Sequence, residues 1–442
     1  MANILTIAGF DPSGGAGVVA DLKVITLLGE VGLAVPTALT VQDTQRVYNV
    51  SPVSSEIISK ELDALWSDFQ IDAVKIGMVY SSEAISLISQ KMKQYRPNTL
   101  ICDPIIRAKD GSLLTKDIEL LKKGLFPLST LITPNIDEAM VFTGEEIKNI
   151  DGMKKAAQKL YKSGPDAILI TGGNLPDKAI DVLYDGHKFY TFEAIKKEKR
   201  PVHGTGCVFS AAIATFLAKG NGLVESIEKA KKFIKMAIDF SLRCGKGNLI
   251  SNPYAYIANE IERYLVINEL KEALSLLKSE RIEKFIPEVS TQLVYALPCA
   301  SNYQEVAGFP GRLTVIDGGI VAFSPPDFGA SRHMANVVLK AMEFDPSYRS
   351  VINIKYKKDT VQKAKKLGYY VIEVEREEEL PELKKIEGHS LPFLIEKAVS
   401  RAHLVPDMVY DLGDIGKEPM IRILGKTPKE VVRKLINLSK EE

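Results

Sequence analysis

The chain has 442 residues, with 57 basic and 56 acidic side chains and a formal net charge of +1. An apolar share of 45% and a charged share of 26% exclude wholesale disorder, and the balanced charge excludes the basic surplus that a nucleic-acid-binding face requires. No uninterrupted apolar run approaches the ~18 residues of a membrane span, and four scattered cysteines without a CxxC pair argue against disulfides and structural zinc.

This length predicts two or three domains. The opening MANILTIAGFDPSGG runs straight into a strand and a glycine turn, without a signal-peptide layout, so a cytoplasmic protein is expected. Short β-rich apolar runs at 4–8, 73–76, 100–102, 131–132 and 167–170 alternate with helix-period stretches at 82–95, 153–163 and 209–217. That alternation predicts an α/β domain with a mostly parallel sheet covered by helices on both faces. Between Val31 and Val53 the pattern becomes Val-, Thr- and Ala-rich around Gln42–Arg46, which predicts a small separate set of strands, a candidate lid. The stretch 257–284 reads as a helical connector, with Ile257, Ile261, Leu265, Leu270, Leu274 and Leu277 at roughly helical spacing. Residues 285–442 then read as a smaller α/β domain. It contains a hairpin around Asp317-Gly318-Gly319, a helix capped by Ser331, strands near 351–354 and 370–374, and a closing strand–helix run.

GFDPSGGAG follows the first strand, and Gly9-x4-Gly14 has P-loop spacing. Gly15 and Ala16 stand where that motif needs Lys and Ser/Thr, so the P-loop is rejected. The alternatives are a close-approach loop meeting a ligand, with Asp11 and Asp21 nearby, or a plain strand-to-helix turn. HGTGCVFSAAIATFL leads from two glycines into an apolar helix, a ready anion site, or else a tight turn with a buried cysteine. Cys207 falls in its first turn, where the helix dipole is expected to favour the thiolate. Asp103 follows a strand end, and Asn135 and Glu138 follow another. Each serves equally as a helix cap, but oxygen ligands there suit Mg²⁺ held beside phosphates. Together these elements suggest a phosphoryl transferase of non-Walker type.

The segments TIAGFDPSGGAGVVADLK, TALTVQDT, VKIGM, CDPI, TPNIDEA, ITGGNL and HGTGC, in this order, resemble the hydroxymethylpyrimidine/hydroxymethylpyrimidine-phosphate kinases of thiamine synthesis, in the ribokinase superfamily. The resemblance implies a ribokinase-like domain over 1–256 that uses Mg·ATP and dimerises. By position, Gly9, Gln42 and Met78 would line the pyrimidine pocket with Asp21 as a further substrate residue. The Gln42 amide suits an aminopyrimidine edge. Asp103 and Glu138 would organise Mg²⁺. Gly204, Thr205 and Gly206 would form the anion hole, and Cys207 would act in hydroxyl activation or anion-hole geometry. Thr171 belongs to the ATP side, but many relatives have Lys there and His at the position of Asn174, so the cation facing the γ-phosphate is left open.

Among the five histidines, His333 stands just inside a helix beside Arg332, with Arg312 upstream. This is a phosphate-site pattern, though a first-turn histidine is equally often merely exposed. His187, His389 and His403 read as surface or core residues. Asn353 and Lys355 on one strand, and Lys417 in a glycine turn, suit an anionic ligand. The segments PEVSTQLVYALP, PGRLTVIDGG, FGASRHMANVVLKAM, INIKY and YDLGDIGKEPMIRILG resemble the archaeal-type thiamine-phosphate synthase domain, which joins hydroxymethylpyrimidine diphosphate to a thiazole phosphate and releases pyrophosphate. That resemblance makes Arg312 and His333 the activity-critical pair. A related version of the domain is a ligand sensor. A non-catalytic sensor domain behind a pyrimidine kinase, or a kinase acting on pyridoxal or a sugar, are therefore the alternatives.

Overall fold

The structure is a computed structural model that describes residues 1–172, 178–195, 201–375, 390–414 and 418–440. It divides into two compact units, Met1–Tyr256 and Ile257–Glu442. No helix among the described residues is long and apolar enough to cross a membrane.

In the first unit the chain runs β1 (Asn3–Phe10), α1 (Gly17–Leu27), β2 (Val31–Gln42), β3 (Val47–Pro52), α2 (Ser55–Asp68), β4 (Ala73–Ile76), α3 (Ser82–Tyr95) and β5 (Leu100–Cys102). It continues through α4 (Ile118–Leu125), β6 (Leu131–Ile132), α5 (Ile136–Thr143), α6 (Ile150–Tyr161), β7 (Ile168–Ile170), β8 (Lys178–Tyr184) and β9 (Phe189–Ile195). Then come β10 (Val202–His203), α7 (Thr205–Ala218), α8 (Leu223–Asp239) and β11 (Leu249–Ile250). Among the described residues β1–β9 form one sheet in the order β3-β2-β1-β4-β5-β6-β7-β8-β9. Neighbours from β2 to β7 pair in parallel, and β3, β8 and β9 add antiparallel edges. The central strands β4, β5 and β6 are buried throughout because helices cover both faces. Helix α7 is buried at every residue from Cys207 to Phe216, as an apolar helix without a polar face must be.

The stretch 31–53 does not form a separate set of strands. Val31–Pro36 pairs in parallel with β1, so β2 joins the main sheet, and only its far half projects past the end of β1 as an antiparallel ribbon with β3. Leu39, Val41 and Tyr48 are half-exposed on that ribbon. Register shifts fall between Ala8 and Phe10, and again between Val41 and Gln42. Such irregularities bend a strand and re-aim side chains; here they fall at Gly9 and beside Gln42.

The second unit runs α9 (Ala255–Lys278, beginning at the boundary), β12 (Leu293–Ala296), β13 (Val306–Gly308), β14 (Leu313–Ile316), β15 (Gly319–Ala322), β16 (Asp327–Phe328), α10 (Arg332–Phe344) and β17 (Ser350–Lys355). After these come α11 (Lys358–Lys366), β18 (Val371–Glu373), α12 (Ser390–Ala402), β19 (Met408–Asp411), β20 (Met420–Gly425) and α13 (Pro428–Ser439). Its mixed sheet has the order β16-β13-β12-β17-β20-β19-β18, mostly antiparallel. Helix α9 packs Val266, Leu270, Ala273 and Leu277 into this unit's core, whereas Ile261 and Leu265 are half-exposed. The helical stretch thus places Leu270, Leu274 and Leu277 on the core as its spacing suggested, and departs from that face only at Ile261 and Leu265. β14 and β15 form the expected hairpin, and its turn residues Asp317 and Gly318 both have positive φ (50° and 75°), the geometry Asp-Gly supplies. Ser331 stands at the N-cap of α10, but its hydroxyl makes no capping hydrogen bond.

Candidate active sites

In the first unit the carboxyl ends of β1, β4, β5, β6 and β7 point to one edge, where ligands collect in open parallel sheets. The loop after β1 is tied by Asp11, which accepts hydrogen bonds from the Ser13 N–H (2.8 Å) and the Ala16 N–H (2.9 Å). Gly17 closes the loop at φ 59°, and a Cβ there would lie 2.1 Å from the Gly9 carbonyl oxygen. Gly204, at φ 80°, begins α7, and a Cβ on it would lie 1.7 Å from the Gly15 carbonyl oxygen. The two glycine loops are therefore interlocked, and the amides opening α7 face the loop after β1. The Gly204→Ala variant is expected to lose the phosphoryl transfer expected of this site by about a hundredfold or more through loop separation, measured as phosphorylation alongside a melting curve.

His203, which the motif reading passed over, connects three elements. Its Nε2 lies 2.9 Å from Asp11 Oδ2 and 3.0 Å from Gln42 Nε2. A Cβ on Gly15 would sit 2.5 Å from the ring. Gln42 is thereby held beside the loop, and Thr40 Oγ1 donates to the Phe10 carbonyl (3.0 Å). Gly9 faces Met78: a Cβ there would come 2.7 Å from its sulfur. The structure thus brings Gly9, Met78 and Gln42 to the end of β1.

Asp103 is 4% exposed and accepts from Ser210 Oγ (3.0 Å) and Thr133 Oγ1 (3.2 Å). A Cβ on Gly206 would be 3.8 Å from it, so it lies against the start of α7. Glu138 completes a capping box with Asn135 on α5 and accepts from the Asn135 N–H at 2.9 Å. Burial, and then the charge of Asp103, push Glu138 up to about 8, and burial also raises Asp103. Two buried carboxylates that resist joint ionisation fit a divalent cation, which would relieve the repulsion. No group of three or more His, Cys, Asp or Glu side chains that could hold a metal occurs among the described residues. Two carboxylates of this kind suit Mg²⁺ held also by water and phosphate oxygens. Thr171 pairs by a β-bridge with Asn135, and its N–H donates to the Pro134 carbonyl, which sets it at the start of α5. Asn174 lies outside the described residues.

Two expectations are corrected. Asp21 is fully buried and turned inward: it bonds Lys75 Nζ (2.8 Å) and Thr6 Oγ1 (2.6 Å), beneath the loop rather than facing a ligand. Lys75 is equally buried. Burial acts to lower its pKa, but the neighbouring carboxylates, Asp21 foremost and then Asp103, raise it overall. The Cys207 thiolate is also not favoured, because burial pushes the thiol up to about 12 and outweighs nearby Lys75. Iodoacetamide at pH 8 is expected to modify exposed Cys244 and to spare buried Cys102, Cys207 and Cys299. Peptide mass spectrometry checks this, and rapid Cys207 alkylation would contradict it. A lysine in the middle of the otherwise apolar strand β4 was the one signal for the Lys75 pair.

In the second unit a cavity of about 250 Å³ is bordered by Arg312, His333, Asn353 and Arg422, among others. Ser290 and Arg312 both take left-handed backbone (φ 68° and 65°), and the residues after them, Thr291 and Leu313, form a two-way bridge of 2.9 and 2.7 Å. Strained backbone of this kind clusters at functional sites. Arg312 Nη1 donates to the Val289 carbonyl. His333 lies in the first turn of α10, whose opening amides have no side-chain cap or acidic neighbour and so suit an anion. Asn353 is spent on structure, accepting from the Gln292 N–H (2.7 Å) and donating to the Ser290 carbonyl (3.2 Å). Lys355 ends β17, paired in register with Met420 and outside the cavity lining. Lys417 lies outside the described residues. Arg422, missed in the sequence, forms a buried 2.6 Å ion pair with Asp411. His187 and His403 are exposed, and His389 lies outside the described residues.

Residues 11–252 match the family model of phosphomethylpyrimidine kinase, and residues 269–437 that of thiamine-phosphate synthase ThiN. The bifunctional thiamine biosynthesis protein ThiDN of Methanocaldococcus jannaschii is 35% identical over 440 residues, which cover 98% of this chain and 97% of that protein. The hydroxymethylpyrimidine/phosphomethylpyrimidine kinase of Aquifex aeolicus is 44% identical over 246 residues, 55% of this chain and 96% of that protein. Among solved structures, the ADP complex of Bacillus subtilis pyridoxal kinase is similar at TM-score 0.55 and 34% identity, covering 58% of this chain and 98% of that one.

Proposed function

The chain belongs to the family of bifunctional thiamine biosynthesis proteins that join a phosphomethylpyrimidine kinase to a thiamine-phosphate synthase, and we propose that its two activities reside in the two sites described above, the kinase in 1–256 and the synthase in 285–442. ATP is the phosphoryl donor. In the kinase site the pyrimidine lies against Gly9 and Met78 with its amino edge on Gln42. The hydroxymethyl oxygen points to the amides of Gly204, Thr205 and Gly206, which hold the charge of the transferring phosphoryl group. Asp103 and Glu138 would hold Mg²⁺, which neutralises phosphate charge when bound. Cys207 acts as a neutral thiol that shapes the anion hole.

The product monophosphate is phosphorylated again, and the diphosphate enters the synthase site. There a thiazole nitrogen bonds to the pyrimidine methylene while its carbon–oxygen bond breaks and pyrophosphate leaves. Arg312 and the opening amides of α10 balance the departing charge, and His333 donates a hydrogen bond or proton to it.

The observation that carries this reading is the interlock of two glycine loops beside Asp103, with no Walker lysine, in a chain that also carries the Arg312–His333 cavity. Incubation with hydroxymethylpyrimidine, ATP, Mg²⁺ and thiazole phosphate is expected to yield thiamine phosphate. Diphosphate accumulating without coupled product would overturn the synthase half, and preferential phosphorylation of pyridoxal would overturn the kinase half. The protein is a cytoplasmic homodimer associated through the kinase unit, and sedimentation equilibrium tests the dimer.

A further inference from the structure

We propose that Lys109 is the residue that admits a phosphorylated acceptor to the kinase site, by pairing with the phosphate of the pyrimidine monophosphate in the second phosphorylation. This inference rests on the kinase chemistry assigned to the Gly204 loop. The two rounds differ in charge. The first acceptor is a neutral alcohol, which loses its proton as its oxygen bonds to the γ-phosphorus of ATP. The second is a phosphate monoester, largely a dianion at neutral pH. One of its oxygens forms the new bond while the bond from the γ-phosphorus to the ADP oxygen breaks, and no proton has to leave. The added burden is repulsion between two polyanions, which a cation beside the acceptor relieves.

The segment after β5 builds a small hairpin that brings such a cation to the site. Arg107 bridges Leu113, the Ala108 N–H donates to the Ser112 carbonyl (2.9 Å), and Gly111 turns at φ 88°. Two adjacent residues at its tip tie the hairpin to separate walls of the pocket. Asp110 Oδ2 accepts from the Val47 N–H (2.8 Å), and Val47 is the register partner of Gln42. Lys109 Nζ donates to the carbonyl of Val202, which immediately precedes His203 and Gly204. The His203 ring lies 3.0 Å from Gln42 Nε2, and Gly204 opens α7. The ammonium is thus fixed on the strand that leads from the partner of Gln42 into the anion hole.

Its surroundings leave that charge unbalanced. One N–H is spent on a neutral carbonyl, the other donors of the ammonium remain, and no carboxylate among the described residues pairs with it. Lys109 is exposed along its stem, yet the protein around its ammonium holds its pKa below the usual lysine range, with no counter-charge to raise it. Neighbouring cations are held differently. Lys75 is buried against Asp21 (2.8 Å), Arg46 stacks on Tyr48 (4.6 Å), and Arg107 turns back to the Gly111 carbonyl of its own hairpin (3.0 Å). Lys23 reaches from α1 to the Gly14 carbonyl (2.7 Å). It too lacks a carboxylate partner among the described residues, and it is the rival that experiment separates.

Lys109→Met in the full chain is expected to lower kcat/KM for hydroxymethylpyrimidine phosphate about tenfold or more relative to kcat/KM for hydroxymethylpyrimidine, mainly through KM. Monophosphate should then accumulate during turnover. Lys109→Arg, which keeps the charge, should hold the ratio near that of the unaltered chain. Equal losses in both rounds, as support of the hairpin or contact with ATP would give, overturn the role, and so does an unchanged ratio. A selective loss in Lys23→Met with a normal Lys109→Met would move the role to Lys23. The unaltered chain supplies a test independent of folding. Its KM for the monophosphate should rise with added salt more steeply than its KM for the alcohol, and equal salt dependence would refute a cation at the acceptor phosphate. Failure of the unaltered chain to phosphorylate either pyrimidine would instead refute the kinase assignment itself.

Discussion

Arg312→Ala and His333→Ala are each expected to lower thiamine phosphate formation by about 10²–10³-fold and to leave pyrimidine phosphorylation unchanged. ATP consumption in the same sample reports the first unit, and a melting curve reports whether the second unit, which carries both substitutions, is folded. Loss of both activities would point to misfolding and not to chemistry. The backbone of Arg312 allows a finer separation. Its φ of 65° is a left-handed conformation that glycine adopts without strain, so Arg312→Gly should be as inactive as Arg312→Ala and about 1 kcal/mol more stable. Equal stability of the two variants would mean that the strain is not stored there.

Lys75→Met is expected to destabilise the first unit by about 3–5 kcal/mol, because it leaves the fully buried Asp21 without its counter-charge. The double variant Lys75→Met/Asp21→Leu should recover most of that loss. Urea unfolding followed by the fluorescence of Trp66, the single tryptophan of the chain, measures both. A double variant as unstable as the single one would show that the charges are not coupled. The pH dependence has a definite sign. Burial already raises Asp21 above the usual carboxylate range, and removing Lys75 raises it further. The folded single variant therefore prefers the protonated acid. Its deficit should be largest near pH 7, shrink as pH falls through the raised folded value, and vanish below about 3.9, the ordinary value for Asp.

The strands β4, β5 and β6 were legible residue for residue, because a strand covered on both faces reads as a near-continuous apolar run, interrupted here only by Lys75. Helix α9 was legible as a helix but only partly in its orientation. Its second half was read on the right face, with Leu270, Leu274 and Leu277 at the core, but apolar residues lie on more than one side of its first half, so periodicity alone could not choose Val266 over Ile261 and Leu265. In the kinase site the glycine loops and strand-end carboxylates announced themselves through local spacing. His203 did not, because its partners Asp11 and Gln42 lie 192 and 161 positions away, and no spacing rule spans such distances. Cys207 was misjudged for a different reason. Helical position is written in sequence, but the burial that outweighs the dipole is a property of the packed fold. Arg422 was not singled out in the sequence, because its partner Asp411 lies on another strand and only the antiparallel pairing of β19 and β20 sets the two side by side.

The interlocked glycines also restrict how this sequence can drift. A methyl group on Gly17 meets the Gly9 carbonyl at 2.1 Å, one on Gly204 meets the Gly15 carbonyl at 1.7 Å, and one on Gly15 meets the His203 ring at 2.5 Å. Each substitution needs a second change in a segment nearly 190 positions away, or within the same tight loop, before it is tolerated. Single-step paths out of this arrangement are therefore closed. A library randomised at Gly15 and Gly204 together should return almost only glycine at both, whereas exposed Phe10 nearby should vary freely.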